Sequence, residues 1–405
     1  MEFEQKIIEV QKAMAKQQID GWLLYDFRHS NPLAYTFLEI PPDKMLSRRF
    51  FYWLPREGDP IKILPEIEPH TFDHLPGIKL LYKGWEDLEK RLFSLSLQNK
   101  KIAMEFSPRN ALPAVSTVDG GTVELVKSSG AEIVSSANLL QRYTSVWTEK
   151  QFQGHVAAAD LLNEVVNLTW KYIENSLQDK ITINEYHVQQ FMLDLMQQAK
   201  CVSKHPPICA VNAHSADPHY SPSEKYSWPI KPGDFILLDL WCKQDWPGAV
   251  YADIARVGVA AASPSSFQQE IFNIVKSTRD QATIFIKENY ESGKGMEGWQ
   301  VDQLCRDVIS KAGYGENFIH RTGHSLGEEV HGPGANLDNF ETHDFRLLLP
   351  GTCFTVEPGI YLSDQFGVRL EYDIYLDPSG YMQVTGGIQE KIYCFSQDIR
   401  HDDHS

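Results

Sequence analysis

The sequence predicts two domains, a smaller α/β domain over residues 1–145 and a larger α+β domain over residues 146–405. Short apolar strands alternate with amphipathic helices in the first part, a pattern typical of α/β architecture. In the second part, two helices followed by a pair of strands recur after an offset of 118 residues, which indicates an internal repeat. The boundary is placed where the pattern changes, near residues 140–150, because no low-complexity linker separates the two parts.

The elements of the first domain follow from its hydrophobic periodicity. An amphipathic helix is expected over 3–17, and the apolar run at 22–25 predicts the first strand. The remaining elements are strands at 50–54 and 61–64, a helix around 85–97 and a strand near 101–105. No glycine-rich phosphate-binding loop is found among them.

Two helices and a strand pair are expected in each half of the second domain. Helical periodicity runs over about 148–177, and the string from Thr182 to Glu185 has the form of a capping box that opens a second helix to about residue 200. A segment rich in Pro, His and Ser precedes the first strand pair. The second half repeats this order, with helices over about 265–290 and 298–312 and then a His-rich segment.

Each strand pair carries two carboxylates at the same spacing. Asp239 closes an apolar run and Asp253 follows 14 residues later, and Glu357 and Glu371 have the same separation. A carboxylate that closes a buried apolar run is costly unless it is paired or bound to a metal. One such acid would be an ordinary strand-end residue in a salt bridge. Four in matched register predict two hairpins that converge on a metal site.

Three histidines could add to this site. His324 is flanked by glycines, His331 follows seven residues later, and His219 precedes the first hairpin. Loop histidines are usually solvated or structural, but beside four carboxylates His324 is a suitable ligand, because imidazole binds divalent first-row ions. Such a set would hold two divalent cations, which can deprotonate a shared water and polarise a carbonyl. No H-E-x-x-H or G-x-S-x-G motif offers a different hydrolytic site.

Composition and charge exclude several classes of protein. The chain is 42% hydrophobic and 23% charged, as expected of a soluble globular protein. Its net charge of −16 argues against nucleic acid and anionic membranes, which bind basic surfaces. The polar N-terminus has no signal-peptide core, and no stretch reaches the ~18 apolar residues of a membrane span. The six cysteines lack C-x-x-C spacing, so buried free thiols and a cytoplasmic location are expected.

With these residues identified, the sequence resembles the pita-bread metallopeptidases, the family of aminopeptidase P, prolidase, methionine aminopeptidase and creatinase. The ligand order Asp, Asp, His, Glu, Glu and the strings 323–327, 357–361 and 368–371 are similar to that family's signatures. The resemblance covers about 145–395 and extends weakly to a creatinase-type N-terminal domain, best at 31–35. It implies a pita-bread catalytic domain with a pseudo-two-fold repeat.

The resemblance implies a ligand set for two metal ions, with manganese expected first and cobalt, zinc or iron as alternatives. Asp253 and Glu371 would bridge both ions. Asp239 would complete one site, and His324 and Glu357 would complete the other.

The resemblance also implies catalytic roles. Glu357 would act as general base toward a metal-bridging water or hydroxide. His219 and His331 would contact the substrate, and Arg369 would orient ligands or substrate, with Arg346 as a weaker candidate. Three aromatic side chains are further candidates for the lining of the substrate pocket: Trp241, Trp246 and Tyr361.

Within this family, the N-terminal domain argues against a methionine aminopeptidase, and the intact ligand set argues against creatinase. The resemblance therefore implies an Xaa-Pro aminopeptidase or Xaa-Pro dipeptidase that acts on proline-containing peptides. A homodimer is expected, because a neighbouring subunit often closes the site in this family. Two alternatives remain open: a non-peptide amide or amidino hydrolase on the same fold, and a catalytically silent binding protein.

Three positions depart from the family pattern. The two Asp ligands are separated by 14 positions, where the family usually has 11, so their hairpin loop is longer. Ala255 stands where the family usually has a threonine, which removes a hydroxyl that could orient a ligand. His343 stands where many prolidases have an arginine that binds a dipeptide carboxylate, which favours a longer substrate or a different carboxylate anchor.

Overall fold

The computed structural model describes residues 3–41 and 43–396. The chain forms two compact units, Met1–Thr144 and Ser145–Ser405. No helix within the described residues is long and apolar enough to cross a membrane.

The first unit is built on a six-stranded mixed sheet. Its strands are β1 (Gly21–Asp26), β2 (Phe50–Pro55), β3 (Ile61–Pro65), β4 (Ile78–Tyr82), β5 (Lys101–Met104) and β6 (Glu132–Ser135). Its helices are α1 (Phe3–Lys16), α2 (Pro32–Leu38), α3 (Trp85–Phe93), α4 (Gly120–Ser128) and α5 (Ala137–Thr144). The strand order is β4-β3-β2-β1-β5-β6, with parallel pairs at β3–β4, β1–β5 and β5–β6.

Strand alternation explains why this sheet is covered on both faces. Leu24 and Tyr52 pack with α1, α2 and α5, whereas Leu23 and Phe51 pack with α3 and α4. Successive side chains of a strand point to opposite faces, so continuous apolar runs such as that of β1 are buried on both sides. The α/β pattern expected for this part of the sequence is present.

The second unit carries the longer helices and three sheets. Its helices are α6 (Glu149–Gln178), α7 (Glu185–Gln198), α8 (Ser266–Glu291) and α9 (Gly298–Lys311). Its strands are β7 (Cys201–Val202), β8 (Ile208–Val211), β9 (Phe235–Gln244), β10 (Ala252–Val259), β11 (Cys353–Val356), β12 (Gly359–Leu362), β13 (Phe366–Arg369), β14 (Tyr372–Leu376), β15 (Met382–Thr385) and β16 (Tyr393–Cys394). The sheets are β16-β10-β9-β7 with β8 also beside β9, β11-β14-β15, and β12-β13.

The face of β9 on which a side chain lies decides which helices it meets. Ile236 and Leu238 belong to the core cluster of α6 and α7, whereas Phe235 and Leu237 belong to the cluster of α8, α9 and the second half. Asp239 continues the odd-numbered positions and therefore faces the second half. On β10, Asp253 shares its face with Val257, which lies in that same second cluster.

The two halves repeat the order helix, helix, strand pair, but their strand registers differ. In the first pair, Asp253 lies opposite Trp241, two positions beyond Asp239. In the second pair, Val356 lies opposite Tyr372, so Glu357 and Glu371 are the next positions at the end of the ladder. The second ladder is thus shifted by two residues relative to the first. Because side chains alternate with period two, this shift keeps all four carboxylates on their intended faces.

The cap of α7 differs from the predicted capping box. The N-cap is Asn184. Its side-chain oxygen accepts a hydrogen bond from the backbone N–H of His187, and its backbone N–H donates to His187 Nδ1. The proposed partner of Thr182, Glu185, is instead buried and accepts hydrogen bonds from a distant segment. The Glu185 carboxylate, which the local pattern assigned to the cap, therefore takes part in tertiary hydrogen bonds instead.

Candidate active site

The second unit contains a cavity of about 600 Å³. Of the nine residues with a predicted metal-binding or catalytic role, all but Arg346, the weaker candidate, line it: His219, Asp239, Asp253, His324, His331, Glu357, Arg369 and Glu371. Asp239 lies on β9 and Asp253 on β10, whereas Glu357 follows β11 and Glu371 lies between β13 and β14. The cavity therefore forms where the two strand pairs of the repeat meet.

Gly323 and Thr355 bring His324 to the carboxylates. A Cβ on Gly323 would lie 2.0 Å from the Thr355 carbonyl oxygen, so only glycine allows the two backbones to approach this closely. The Thr355 hydroxyl accepts from the His324 N–H at 2.9 Å and donates to Glu357 Oε1 at 3.0 Å. One threonine thus fixes both the histidine backbone and a glutamate side chain.

Three of the five predicted ligands form a tight group. Asp253, His324 and Glu371 each offer a ligand atom, and these atoms lie within 4.8 Å of one another. His324 Nε2 is also 3.4 Å from Glu357 Oε1. Asp239 lines the same cavity, but its Oδ2 accepts a hydrogen bond from the Arg369 guanidinium.

Burial makes ionisation of these acids costly. It raises the pKa values of Asp253 and Glu371 well above their usual range, and the neighbouring carboxylates add to the effect. Burial, with the Asp239 charge, raises the pKa of Glu357 to about 7, although Arg369 opposes the change. Burial also lowers the pKa of His324 well below its ordinary value, and His331 and Arg321 lower it further. A neutral imidazole can ligate a cation.

These residues fit a site for divalent cations. Asp239, Asp253, Glu357 and Glu371 form a buried carboxylate cluster in which Arg369 is the fully buried cationic partner. The Asp253 Oδ1 atom is buried without a hydrogen-bond partner. Buried carboxylates must be protonated or paired with positive charge. Four carboxylates with one buried arginine therefore form a cluster whose charge bound divalent cations would balance.

A chain of hydrogen bonds holds Arg369 in place. Its Nη1 donates to the Tyr361 hydroxyl at 2.8 Å, and that hydroxyl is 2.7 Å from His320 Nε2. Because His320 Nδ1 lies 2.6 Å from the Arg321 carbonyl oxygen, Nδ1 carries the proton and Nε2 accepts from tyrosine. Burial lowers the pKa of His320 to about 3, so the ring is neutral. Tyr361 acts through Arg369 and is not part of the cavity lining.

The segment 211–228, which carries His219 and Tyr220, is held by the buried Glu185 carboxylate. Four groups of this segment donate to it: Val211 N–H at 2.8 Å, His214 Nδ1 at 2.9 Å, the Tyr220 hydroxyl at 2.5 Å and Trp228 N–H at 2.7 Å. The His214 ring stacks between Tyr220 and Trp228. His219 itself is exposed at the cavity rim.

Of the remaining residues that the sequence suggested for the cavity, one lines it and others lie outside it. Trp241 lines the cavity, whereas Trp246 packs on Gly154 of α6 and is not part of the lining. The long loop between β9 and β10 also contacts α6, because the Gln151 side chain donates to the Gly248 carbonyl oxygen at 3.0 Å. Arg346 is buried in an ion pair with Asp344 and donates to a backbone carbonyl, so its contacts are structural.

Sequence reasoning assigned no role to five titratable lining residues: His205, Tyr220, His320, Arg321 and Glu341. For His320, its position four residues before His324 in the sequence could have indicated that it lies near the site. Glu341 lies 20 residues from Arg321 in sequence, so no local pattern indicated that they meet.

Comparison with known proteins agrees with this fold. Residues 154–378, more than half of the chain, match Metallopeptidase family M24. The uncharacterized peptidase SSP1059 of Staphylococcus saprophyticus is 24% identical over 389 residues, 94% of this chain and 99% of that protein. Among solved structures, a prolidase from Thermococcus sibiricus is 24% identical, covers 98% of this chain and all of its own, and gives a TM-score of 0.59. The Xaa-Pro dipeptidase from Bacillus anthracis is 24% identical, covers 96% and 99%, and gives 0.60.

The fold is that of a metallopeptidase. The chain belongs to metallopeptidase family M24. The predicted pita-bread architecture, an α+β catalytic unit preceded by a smaller α/β unit, is confirmed. The substrate class that follows from membership is a peptide, and the ligand cluster suits a divalent metal.

Proposed function

We propose that this protein is a binuclear Xaa-Pro peptidase that hydrolyses the peptide bond before proline. The observation that carries the proposal is the convergence of four carboxylates and His324 on one cavity, with His219 and His331 beside them. The likeness to a prolidase and an Xaa-Pro dipeptidase supports the choice of substrate. A bond before proline is a tertiary amide with a fixed φ, so it calls for a dedicated site.

Five residues would hold two divalent ions, with manganese expected first and cobalt, zinc or iron as alternatives. Asp253 and Glu371 would contact both ions, Asp239 would serve one, and His324 and Glu357 the other. When bound, the ions would lower the pKa of a water and polarise the scissile carbonyl. Asp239 is also fixed by Arg369, which orients this carboxylate toward the cavity.

Glu357 is proposed as the general base. Its Oε1 accepts from Thr355, which leaves Oε2 for a proton. The His331 ring centroid lies 4.5 Å from that of His324, and burial lowers the pKa of His331 to about 4. His331 would therefore contact the substrate as a neutral ring, and His219 would contact it from the rim.

We also propose a homodimer and a cytoplasmic location. All six cysteines are free, which suits a reducing compartment. The dimer rests on the resemblance to family members in which a neighbouring subunit closes the site. A solution mass near twice 46.2 kDa would support it, and a monomeric mass would contradict it.

The proposed function is tested by removing metal with a chelator, restoring manganese, and comparing hydrolysis of Ala-Pro, Ala-Pro-Ala and Ala-Ala. We expect metal-dependent cleavage of a proline substrate and poor cleavage of Ala-Ala. Faster cleavage of Ala-Pro would define a dipeptidase, and faster cleavage of Ala-Pro-Ala an aminopeptidase. The Glu357→Gln enzyme should still bind metal but lose about 10²–10⁴-fold in turnover. Metal-loaded enzyme that cleaves neither proline peptide would contradict the proposal.

A further inference from the structure

The two halves of the repeat meet along one edge of β10 without a continuous ladder of backbone hydrogen bonds. The other edge of β10 pairs with β9 over its whole length, whereas on this edge β16 pairs only at Gly258 and Val259. Residues 253–257 of the same edge lie beside β13 and β14, and single contacts replace the ladder there. For example, the Val257 N–H and C=O both bond to the Gln389 side-chain amide, at 2.9 and 2.6 Å. The spacing between the halves therefore depends on a few individual side chains.

The Asp373 side chain, on β14, bonds to the backbone of Asp253. Its Oδ2 accepts from the Asp253 N–H at 3.0 Å. Asp373 is fully buried, its Oδ1 has no hydrogen-bond partner among the described residues, and its backbone lies opposite Thr355 in the β11–β14 ladder. The second half of the repeat thus fixes the backbone of a predicted metal ligand that belongs to the first half.

Arg256 of β10 makes the reciprocal contact, with the backbone of Glu371. Its Nη1 donates to the Glu371 carbonyl oxygen at 2.5 Å and to the Ala255 carbonyl oxygen at 2.9 Å. The Glu371 N–H donates to the same Ala255 oxygen at 3.3 Å. The Arg256 Nη2 donates to the carbonyl oxygens of residues 386–387. Each half of the repeat therefore holds the backbone of a ligand that belongs to the other half.

We propose that Arg256 and Asp373 are positioning residues that set the separation of the two ligands whose backbones they hold. This separation decides whether the site holds two ions or one. Asp253 and Glu371 are the ligands proposed to contact both ions, and their ligand atoms lie within 4.8 Å of each other. Two ions can share a pair of carboxylates only at a suitable separation, whereas a single ion needs fewer ligands. Neither positioning side chain lines the cavity, so both act through the backbone of a ligand. The inference rests on the proposed function and deepens it.

The test is calorimetric titration of the chelator-treated protein with manganese, which measures both the number of bound ions and their affinities. The parent protein should bind two ions. In Asp373→Ala, the affinity for the second ion should fall about 10- to 100-fold, while the first ion still binds. Asp373→Asn keeps an oxygen that can accept from the Asp253 N–H, so it should bind both ions as the parent does. Two ions bound by Asp373→Ala with the affinities of the parent would overturn the inference.

Variants of Arg256 test the reciprocal contact in the same titration. Arg256→Met removes the donors but keeps a long unbranched side chain, and it should weaken binding of the second ion; Arg256→Lys should recover part of the loss. Arg279→Met is the matched control, because Arg279 is also buried and donates to Asp280 and to the Gln389 carbonyl oxygen, but to no ligand residue. The control should lower Tm and still bind both ions. The same behaviour in Arg256→Met would show that its contact is only structural, and Asp373→Ala decides the question if Arg256→Met does not fold.

Hydrolysis of a proline peptide gives a second readout that separates this inference from the proposed function. In Asp373→Ala, the manganese concentration for half-maximal activity should rise about 10- to 100-fold, and saturating manganese should restore kcat. A loss of kcat that manganese does not restore would contradict the positioning role. If the parent binds two ions but cleaves no proline peptide, the proposed function fails, while the titrations still decide the roles of Arg256 and Asp373. A parent that cleaves such peptides with a single bound ion would overturn the inference alone.

Discussion

At the scale of single residues, Ala255 is one of the three positions that depart from the pattern of the family that the sequence resembles. It lies on β10 two residues after Asp253 and opposite Asp239, so its Cβ is on the face that carries both ligands. Asp253 Oδ1 is buried with no hydrogen-bond partner. A hydroxyl on this face would supply a donor where the strand now has a methyl group.

We therefore predict that Ala255→Thr tightens metal binding, by about 10-fold if the hydroxyl reaches a ligand carboxylate. Metal titration of the chelator-treated protein measures the change. Ala255→Val is the matched control, because valine has the shape of threonine without the hydroxyl. Equal tightening by threonine and valine would show that packing, and not hydrogen bonding, is responsible.

The convergence of four acids on one cavity could be predicted because their signal is local and repeated. Asp239, Asp253, Glu357 and Glu371 end or flank apolar strands, and their equal spacing is visible in the sequence. The ion pair of Arg321 with Glu341 left no such signal, because the loop that joins them has no periodicity. Trp246 was considered for the cavity on residue type alone, and its packing on α6 depends on the path of the longer hairpin.

At the scale of elements, the segment 211–228 depends on one side chain of α7. Glu185 is fully buried and collects four donors from this segment, which otherwise consists of loop and a short helical turn. The segment also contacts β13, since the Ser215 hydroxyl accepts from the Gly367 N–H at 2.8 Å. Glu185 is thus a positioning residue for His219 and Tyr220 at the cavity rim.

We predict that Glu185→Gln loosens this segment, because an amide offers a single acceptor oxygen and its NH2 group would face other donors. Backbone amides of 211–228 should exchange hydrogen faster, and KM should rise more than kcat falls. Glu149→Gln is the matched control, since Glu149 occupies the same first-turn position of α6 but is exposed. Unchanged exchange in the segment would contradict the positioning role.

The longer helices were predictable from periodicity and caps, whereas five elements of the first unit were not predicted: α2, β4, α4, β6 and α5. Helices α6, α8 and α9 begin within one or two residues of their expected starts. The prediction of the α7 cap was wrong because the string 182–185 fits the local pattern of a capping box, whereas the Glu185 side chain accepts hydrogen bonds from the distant segment 211–228. The two-residue shift between the strand registers also has no sequence signal, because it preserves which face each carboxylate occupies.

At the scale of the whole molecule, the site places buried negative charge in a protein whose net charge is already −16. Without metal, Asp253, Glu357 and Glu371 have pKa values raised by burial above those of the unfolded chain. A group with a raised folded-state pKa contributes its stability below its unfolded pKa and loses it as pH rises through the folded pKa. For Glu357 this window runs from 4.5 to about 7.

The metal-free protein should therefore lose stability between pH 5 and pH 8, and saturating manganese should prevent the loss, because bound cations favour the ionised carboxylates. Thermal unfolding with and without manganese at several pH values measures this, and the gap in Tm should widen as pH rises. In the metal-free state, Glu357→Gln should be more stable than the parent protein at pH 8, by up to about 3 kcal/mol, but not at pH 4. Glu288→Gln, on the exposed face of α8, should leave the pH profile unchanged. A metal-free Tm that stays constant from pH 5 to pH 8 would mean that these acids already have a cationic partner other than metal, because buried ionised carboxylates are not stable without one.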